Sequence, residues 1–273
     1  MSLLAEQVIR ASSSVTGVQA KMSLDIDRGG RNEPARFTIV GLWGNYIFKP
    51  QSGQYKCLPE LEDLTMKMAS AAGIKTVDHS LIRLADGEQG YITKRIDRTP
   101  GREKVSMLDM CQLSNRLTEH KYFGTYPQLS DIVRRYSSAP LLDIQRFWEV
   151  VLFSWITGNS DMHCKNFSLI DIGRREYVLS PAYDLLSVKL ADPYDQDELA
   201  MPLVVGGRRS GFNKASFMDA MTGCGLDAKI CYRLMDKFAG HRDKWVELIE
   251  SSFLPDDMKE DYIRLIDARL SAL

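Results

Sequence analysis

The sequence predicts an α+β chain in two lobes, a small β-rich N-terminal lobe and a larger helical C-terminal lobe. Three observations carry that prediction. Most of the short β-branched or aromatic runs fall before residue 97, and helical patterning dominates after it. The length, 273 residues, suits one large domain or two small lobes with a cleft between them. We draw the boundary between residues 1–97 and 98–273.

Taken in order, residues 11–30 are rich in Ser, Gly and small polar residues, with apolar positions at 15, 18, 22, 24 and 26, and read as a loop entering a strand. RFTIVG (36–41) and NYIFKP (45–50) read as strands near a glycine turn, the second ended by Pro50. Pro59, Glu60 and Glu62 open a helix that runs to Gly73, since proline and acidic residues suit the first turn and glycine the stop. HSLIRL (79–84) and GYITKRI (90–96), joined across DGEQG, read as a hairpin. In the second lobe, residues 143–158 are apolar on nearly every face, the pattern of a buried core helix. FSLI and EYVLS are short strand-like pieces within 161–186, and Gly206–Gly207 marks a loop. Helices are expected over about 214–221, 226–238, 240–252 and 256–270. No internal repeat or low-complexity tract is present.

Apolar content of 44% and charged content of 26% describe a soluble globular protein. A net charge of -1 gives no global attraction to nucleic acid or membrane. No run of 18 apolar residues suggests a membrane span, and MSLLAEQVIRAS lacks the basic start, long apolar stretch and cleavage site of a signal peptide. Cys57, Cys111, Cys164, Cys224 and Cys231 form no CxxC pair and read as reduced thiols. A cytoplasmic location is therefore expected.

Chemistry concentrates first in Gly158–Asn166, which follows the apolar helix and precedes a strand. Asp161 can accept a proton from an attacking hydroxyl, and Asn166 can offer an amide oxygen to Mg²⁺, the pairing that phosphoryl transfer needs. A structural polar loop is the alternative. Asp184, after EYVLS, would be brought near Asn166 if EYVLS pairs with FSLI; alone, it could equally cap a helix over LLSV. Lys49 is either a solvent-facing strand end or a cation for α- and β-phosphates, with Glu62, or its rival Glu60, as its ion-pair partner. Ser12–Lys21 holds a single glycine, so it is not a Walker A loop, though its backbone N–H groups could cover phosphates. Its hydroxyls at 12, 13, 14 and 16 are phosphorylation candidates; a plain polar segment is the other reading. His163 has no partners for a metal, because His79, His120 and His241 lie far off in sequence, and it reads as a brace for the 158–166 loop.

GVQAK (17–21), YIFKP (46–50), LPELE (58–62), KRIDR (94–98), DMCQL (109–113), GNSDMHCKNFSL (158–169) and SPAYDLLS (180–187) occur in one order along residues 14–187. In these motifs the chain resembles the HipA-type serine/threonine kinases of bacterial toxin–antitoxin systems. The resemblance implies a two-lobed protein-kinase-like fold using ATP and Mg²⁺. It implies Asp161 as the catalytic aspartate, Asn166 and Asp184 as Mg²⁺ ligands, and Tyr183-Asp184-Leu185 in the place of Asp-Phe-Gly. Lys49 matches the phosphate-binding lysine, paired with Glu62. Ser14, Val15, Thr16, Gly17, Val18, Gln19 and Lys21 belong to the phosphate loop, with Ser14 and Thr16 as autophosphorylation positions. Thr93, Lys94, Arg95 and Ile96 match the adenine-facing hinge, Asp97 its ribose side or brace, and His163 and Lys165 join the nucleotide-binding set. The chain reaches the phosphate loop within its first 20 residues, as short HipT-like members do, and Lys94 stands where HipA has a glutamate. The implied partners are a protein substrate such as an aminoacyl-tRNA synthetase, a cognate antitoxin and a separate small protein akin to the missing N-terminal subdomain. Neither membrane nor direct nucleic-acid binding is expected. A small-molecule kinase, akin to the aminoglycoside and choline kinases, and a nucleotide-gated interaction module are the competing readings.

Overall fold

A computed structural model describes residues 20–27, 36–40, 44–99 and 101–273. Its contacts divide the chain into two units. The first contains the described residues up to Asp63 together with Val77–Val105, and the second contains Leu64–Thr76 and Ser106–Leu273.

The first unit is built on an antiparallel sheet of β1 (Met22–Asp27), β2 (Arg36–Ile39), β3 (Tyr46–Pro50), β4 (His79–Arg83) and β5 (Gln89–Lys94), in the order β2-β1-β3-β5-β4. Alternation along the strands sends Met22, Leu24, Phe48 and Ile92 to one buried cluster. The expected hairpin forms, with His79 opposite Thr93 and Arg83 opposite Gln89. Helix α1 (Leu58–Ala71) has Glu60 in its first turn, and its residues up to Asp63 belong to the first unit. It stops at Gly73, whose φ of 78° closes the C-terminus as Ile74 N donates to Ala69 O at 3.0 Å.

The second unit is mainly helical. It contains β6 (Met107–Asp109), α2 (Met110–Leu113), α3 (Tyr126–Tyr136), α4 (Pro140–Ile156), β7 (Ser168–Asp171), β8 (Tyr177–Leu179), α5 (Val188–Ala191), α6 (Lys214–Gly223), α7 (Ala228–Ala239), α8 (Arg242–Glu250) and α9 (Asp256–Ser271). As the apolar residues on nearly every face require, α4 is the core element, with Phe147, Trp148, Phe153 and Trp155 all fully buried. The rest of α1 is tied into this unit: Trp245 Nε1 donates to Met68 O at 3.0 Å, and the Thr65 and Tyr262 hydroxyls lie 2.9 Å apart. The sequence reading placed no element over 98–142, where the structure has β6, α2 and α3. The short helix α2 is held by a reciprocal cap between Asp109 and Gln112, and α3 by one between Thr125 and Gln128. The FSLI and EYVLS pieces pair as β7 and β8, and β6 joins them in the order β6-β7-β8. The expected division into a sheet-rich N-terminal part and a helical C-terminal part is therefore what the chain adopts.

Candidate active site

The loop after α4 is shaped by its own backbone. Gly158 has φ 72°, and a Cβ there would sit 2.7 Å from Leu265 Cδ2 and 3.0 Å from Lys189 Cβ, so no other residue fits without displacement. Asn159 N donates to Ser154 O at 2.7 Å, and Asn159 Oδ1 accepts from Asp161 N at 3.2 Å. Ser160 Oγ donates to Asp195 Oδ2. His163 N then donates to Asp161 O at 2.8 Å and Asn166 N to His163 O at 2.9 Å. The Asn166 side-chain nitrogen also donates to Asp161 O, at 3.0 Å. Because only nitrogen can donate to a carbonyl, this bond fixes the amide orientation and makes Oδ1 the atom with which Asn166 can ligate a hard cation.

The Asp161 side chain is 43% exposed, open enough to be met by an incoming group. Its Oδ1 accepts a hydrogen bond from the Tyr122 hydroxyl and lies 3.9 Å from His163 Nε2. Burial, followed by the bond to Asp161 and its negative charge, pushes the Tyr122 phenol well above its ordinary range. Burial lowers the pKa of His163, outweighing the upward pull of Asp161 and Asp184. The loop is braced by the His163 backbone; its ring sits too far from Asp161 for a hydrogen bond. Lys165 Nζ reaches Asp109 Oδ2 at 3.1 Å. Burial pushes the Cys164 thiol up to about 11, which makes it a poor nucleophile at neutral pH.

The β7–β8 hairpin connects this loop to Asp184. Leu169 faces Leu179 in the pairing, and Ser180 N donates to Ser168 O at 2.9 Å. Tyr183 fastens the outgoing chain, its hydroxyl lying 2.6 Å from Ser168 Oγ and donating to Lys165 O at 2.9 Å. Asp184 has φ 59°, the left-handed region that few non-glycine residues occupy. It does not cap a helix over LLSV: Ser187 stands at the N-cap position of α5. Asp143, fully buried near the start of α4, accepts from Ser137 Oγ at 2.6 Å and from Leu179 N at 2.7 Å, which ties β8 to the core helix.

In the first unit, Lys49 and Glu62 are both buried and form an ion pair, Nζ to Oε1 2.6 Å. Lys49 Nζ also lies 5.5 Å from the centre of the Tyr91 ring. Glu60, the rival partner, is separately half-buried, and burial raises its pKa. Thr93 Oγ1 and Lys94 N donate to Asp78 O at 3.1 and 2.9 Å, and Arg95 N donates to Asn45 O at 2.8 Å. Ile96 is half-buried. The Asp97 carboxylate accepts from Arg95 Nε at 2.8 Å and Nη2 at 2.7 Å, and from Arg98 Nη1 at 2.7 Å. Burial works to raise its pKa, but the Arg95 bond and the two guanidinium charges hold it below the usual carboxylate range. Lys21 is exposed beside β1. Ser14, Val15, Thr16, Gly17, Val18 and Gln19 lie outside the described residues.

Sequence reasoning missed Tyr122, Asp109, Asp143 and Asp195. Tyr122 stands 39 residues from Asp161, and Asp143 36 residues from Leu179, so local pattern carries no signal for these two contacts.

The family described as the HipA-like C-terminal domain matches residues 13–245. The chain belongs to that family. A Sinorhizobium fredii protein named as a candidate kinase, Y4dM, is 36% identical over 189 residues, which is 64% of this chain and 44% of that protein. The serine/threonine-protein kinase toxin HipA of Shewanella oneidensis is 28% identical over 209 residues, 70% of this chain and 46% of the toxin. The chain thus spans less than half the length of these two relatives. The solved complex of Shewanella HipA with HipB and operator DNA aligns with a TM-score of 0.76 at 22% identity, covering 94% of this chain and 65% of HipA. The Helicobacter pylori proinflammatory kinase CtkA aligns with a TM-score of 0.60 at 16% identity, covering 91% of this chain and 92% of CtkA. The HipA-like fold expected from the motifs is the fold observed.

Proposed function

We propose that this HipA-like chain is an ATP-dependent protein kinase acting on serine or threonine. The observation that carries this reading is the 158–166 loop, where one hydrogen bond from Asn166 to Asp161 O leaves the amide oxygen as the atom that can ligate a cation while the Asp161 carboxylate stays partly exposed. In this reading Asp161 orients the acceptor hydroxyl and takes its proton late in transfer. Asn166 Oδ1 and the Asp184 carboxylate are the oxygen donors that would hold Mg²⁺. Bound Mg²⁺ would supply charge neutralisation on the phosphates. Lys49, steadied by Glu62, serves the α- and β-phosphates, joined by residues 14–21. Thr93–Ile96 serve the adenine mainly through backbone groups, and Asp97 serves the ribose side or braces this segment. His163 and Lys165 act by holding the loop. Catalysis then rests on positioning and charge stabilisation, with no covalent enzyme intermediate.

The family relationship extends the proposal. The Shewanella relative is a toxin seen with HipB, which supports a toxin role here with an antitoxin partner; a translation component, such as an aminoacyl-tRNA synthetase, is the substrate the motif resemblance implies. Phosphorylation of Ser14 or Thr16 would add about two negative charges beside the phosphates and switch the kinase off. The test is incubation with Mg²⁺ and γ-labelled ATP beside Asp161→Asn, followed by phosphosite mapping. Label on Ser14 or Thr16 that the variant lacks is expected. A folded, unphosphorylated sample that incorporates nothing would overturn the protein-kinase reading and leave a small-molecule kinase or a nucleotide-gated interaction module.

A further inference from the structure

We infer that Tyr122 is a positioning residue for Asp161, fixing one carboxylate oxygen so that the other meets the acceptor hydroxyl. This rests on the reading of Asp161 as the catalytic aspartate.

A partly exposed aspartate has a broad torsion about its carboxylate, so an unrestrained base spends much of its time misaligned. Here the Tyr122 hydroxyl donates to Oδ1 alone. The phenol sits on a segment bolted to the same loop. On one side of it, Lys121 O accepts from Cys164 N at 3.1 Å. On the other, Phe123 O accepts from Arg116 Nη1 at 2.6 Å and from Cys164 Sγ at 3.6 Å. Cys164 lies three residues after Asp161, so donor and acceptor share one frame. The ring is also held, edge-on to His163 at 5.1 Å between centroids, with Lys121 Nζ 4.9 Å from its centre. The raised phenol pKa keeps the proton on oxygen, so Tyr122 stays a donor at neutral pH.

The opposing possibility is that the phenol stands in the acceptor's place and blocks it. A blocking group must leave to permit turnover, and a segment fastened on both flanks is poorly built for that. The two ideas predict opposite signs for removing the hydroxyl.

The experiment compares wild type, Tyr122→Phe, Tyr122→Leu and Asp161→Asn in steady-state transfer from ATP to a serine/threonine acceptor such as myelin basic protein. Tyr122→Phe keeps the ring. It is expected to hold Tm within about 2 °C, leave KM for ATP unchanged and lower kcat roughly tenfold, the scale of one hydrogen bond to a charged group. Tyr122→Leu should show the same kcat loss together with a lower Tm. An unchanged kcat in Tyr122→Phe overturns the assignment, and a raised kcat replaces it with a blocking role. A loss in Tyr122→Phe that comes through KM for ATP or through Tm also overturns it. Should Asp161→Asn match wild type, the catalytic reading of Asp161 fails and the Tyr122 assignment falls with it. A dead Asp161→Asn beside an unaffected Tyr122→Phe sinks the Tyr122 assignment alone.

Discussion

Asp184 is held at φ 59°, a conformation that costs a non-glycine residue on the order of 1–2 kcal/mol. Aspartate and asparagine visit that region more readily than other residues because their short polar side chains bond locally. The two substitutions that remove its charge should therefore separate strain from chemistry. Asp184→Asn is expected to fold with nearly wild-type stability in urea titration and to lose phosphoryl transfer by at least about a hundredfold, since Asp184 is the one of the two proposed ligands that brings a negative charge to the dication, Asn166 being a neutral amide. Asp184→Ala should lose the activity and also roughly 1 kcal/mol of stability. Equal activity in Asp184→Asn and wild type would remove Asp184 from the metal-binding set. Lys49 presents a different balance: its ammonium and the Glu62 carboxylate are both out of water, so each is tolerated there because of the other.

At the level of elements, the junction of α4 with the 158–166 loop matters most. From Phe147 to Ile156 the helix is buried on every face, so the turn after it absorbs the change of direction, and Gly158 does so at φ 72°. Gly158→Ala combines an unfavourable φ with a Cβ placed 2.7 Å from Leu265 Cδ2. It is expected to cost about 2–3 kcal/mol, read as a lower urea midpoint at unchanged m. Wild-type stability in this variant would show that the loop can be rebuilt without the left-handed turn. The β7–β8 hairpin is anchored through Leu179 N to the buried Asp143, so the strand leading to Asp184 is fixed to the same helix that launches Asp161.

For the whole molecule, the pH dependence of folding follows from carboxylates whose native environment favours ionisation. Asp97 is one, since Arg95 and Arg98 depress its pKa against the effect of burial. A folded pKa below the unfolded value, about 3.9 for aspartate, stabilises the fold fully above that value. The contribution is lost as pH falls through the folded pKa. Asp97→Asn should therefore be less stable than wild type at pH 7, and the gap should close below about pH 4 in denaturation measured across pH. A gap independent of pH would assign the loss to shape rather than charge. Glu198 is held low in the same sense: burial opposes ionisation, but bonds from Arg269 Nη1 at 2.7 Å and Trp155 Nε1 at 2.9 Å favour the charged form.

Local chemistry by itself determined the order and kind of most elements. Pro59 and Gly73 bracket a helix wherever it is placed, β-branched runs around DGEQG make a hairpin, and a segment with apolar residues on nearly every face, such as 143–158, must be buried. These depend on residues a few positions apart, and the motif order from GVQAK to SPAYDLLS carried the family with them. Tertiary structure alone decided the rest. Glu60 and Glu62 are equally good on paper, but successive helical positions turn by about 100°, so two residues apart lie on opposing faces and only packing selects Glu62 for Lys49. The orientation of the Asn166 amide depends on where Asp161 O falls, and the brace on Asp161 comes from Tyr122, 39 residues away. The strand over 107–109 escaped notice because it is three residues long and takes its partner from residues 168–170, whereas the helix over 126–136 carried a local signal, the Thr125–Gln128 cap, that the sequence reading passed over. Periodicity records the neighbours a residue has along the chain; the folded chain alone brings distant donors and acceptors within the roughly 3 Å at which a hydrogen bond forms.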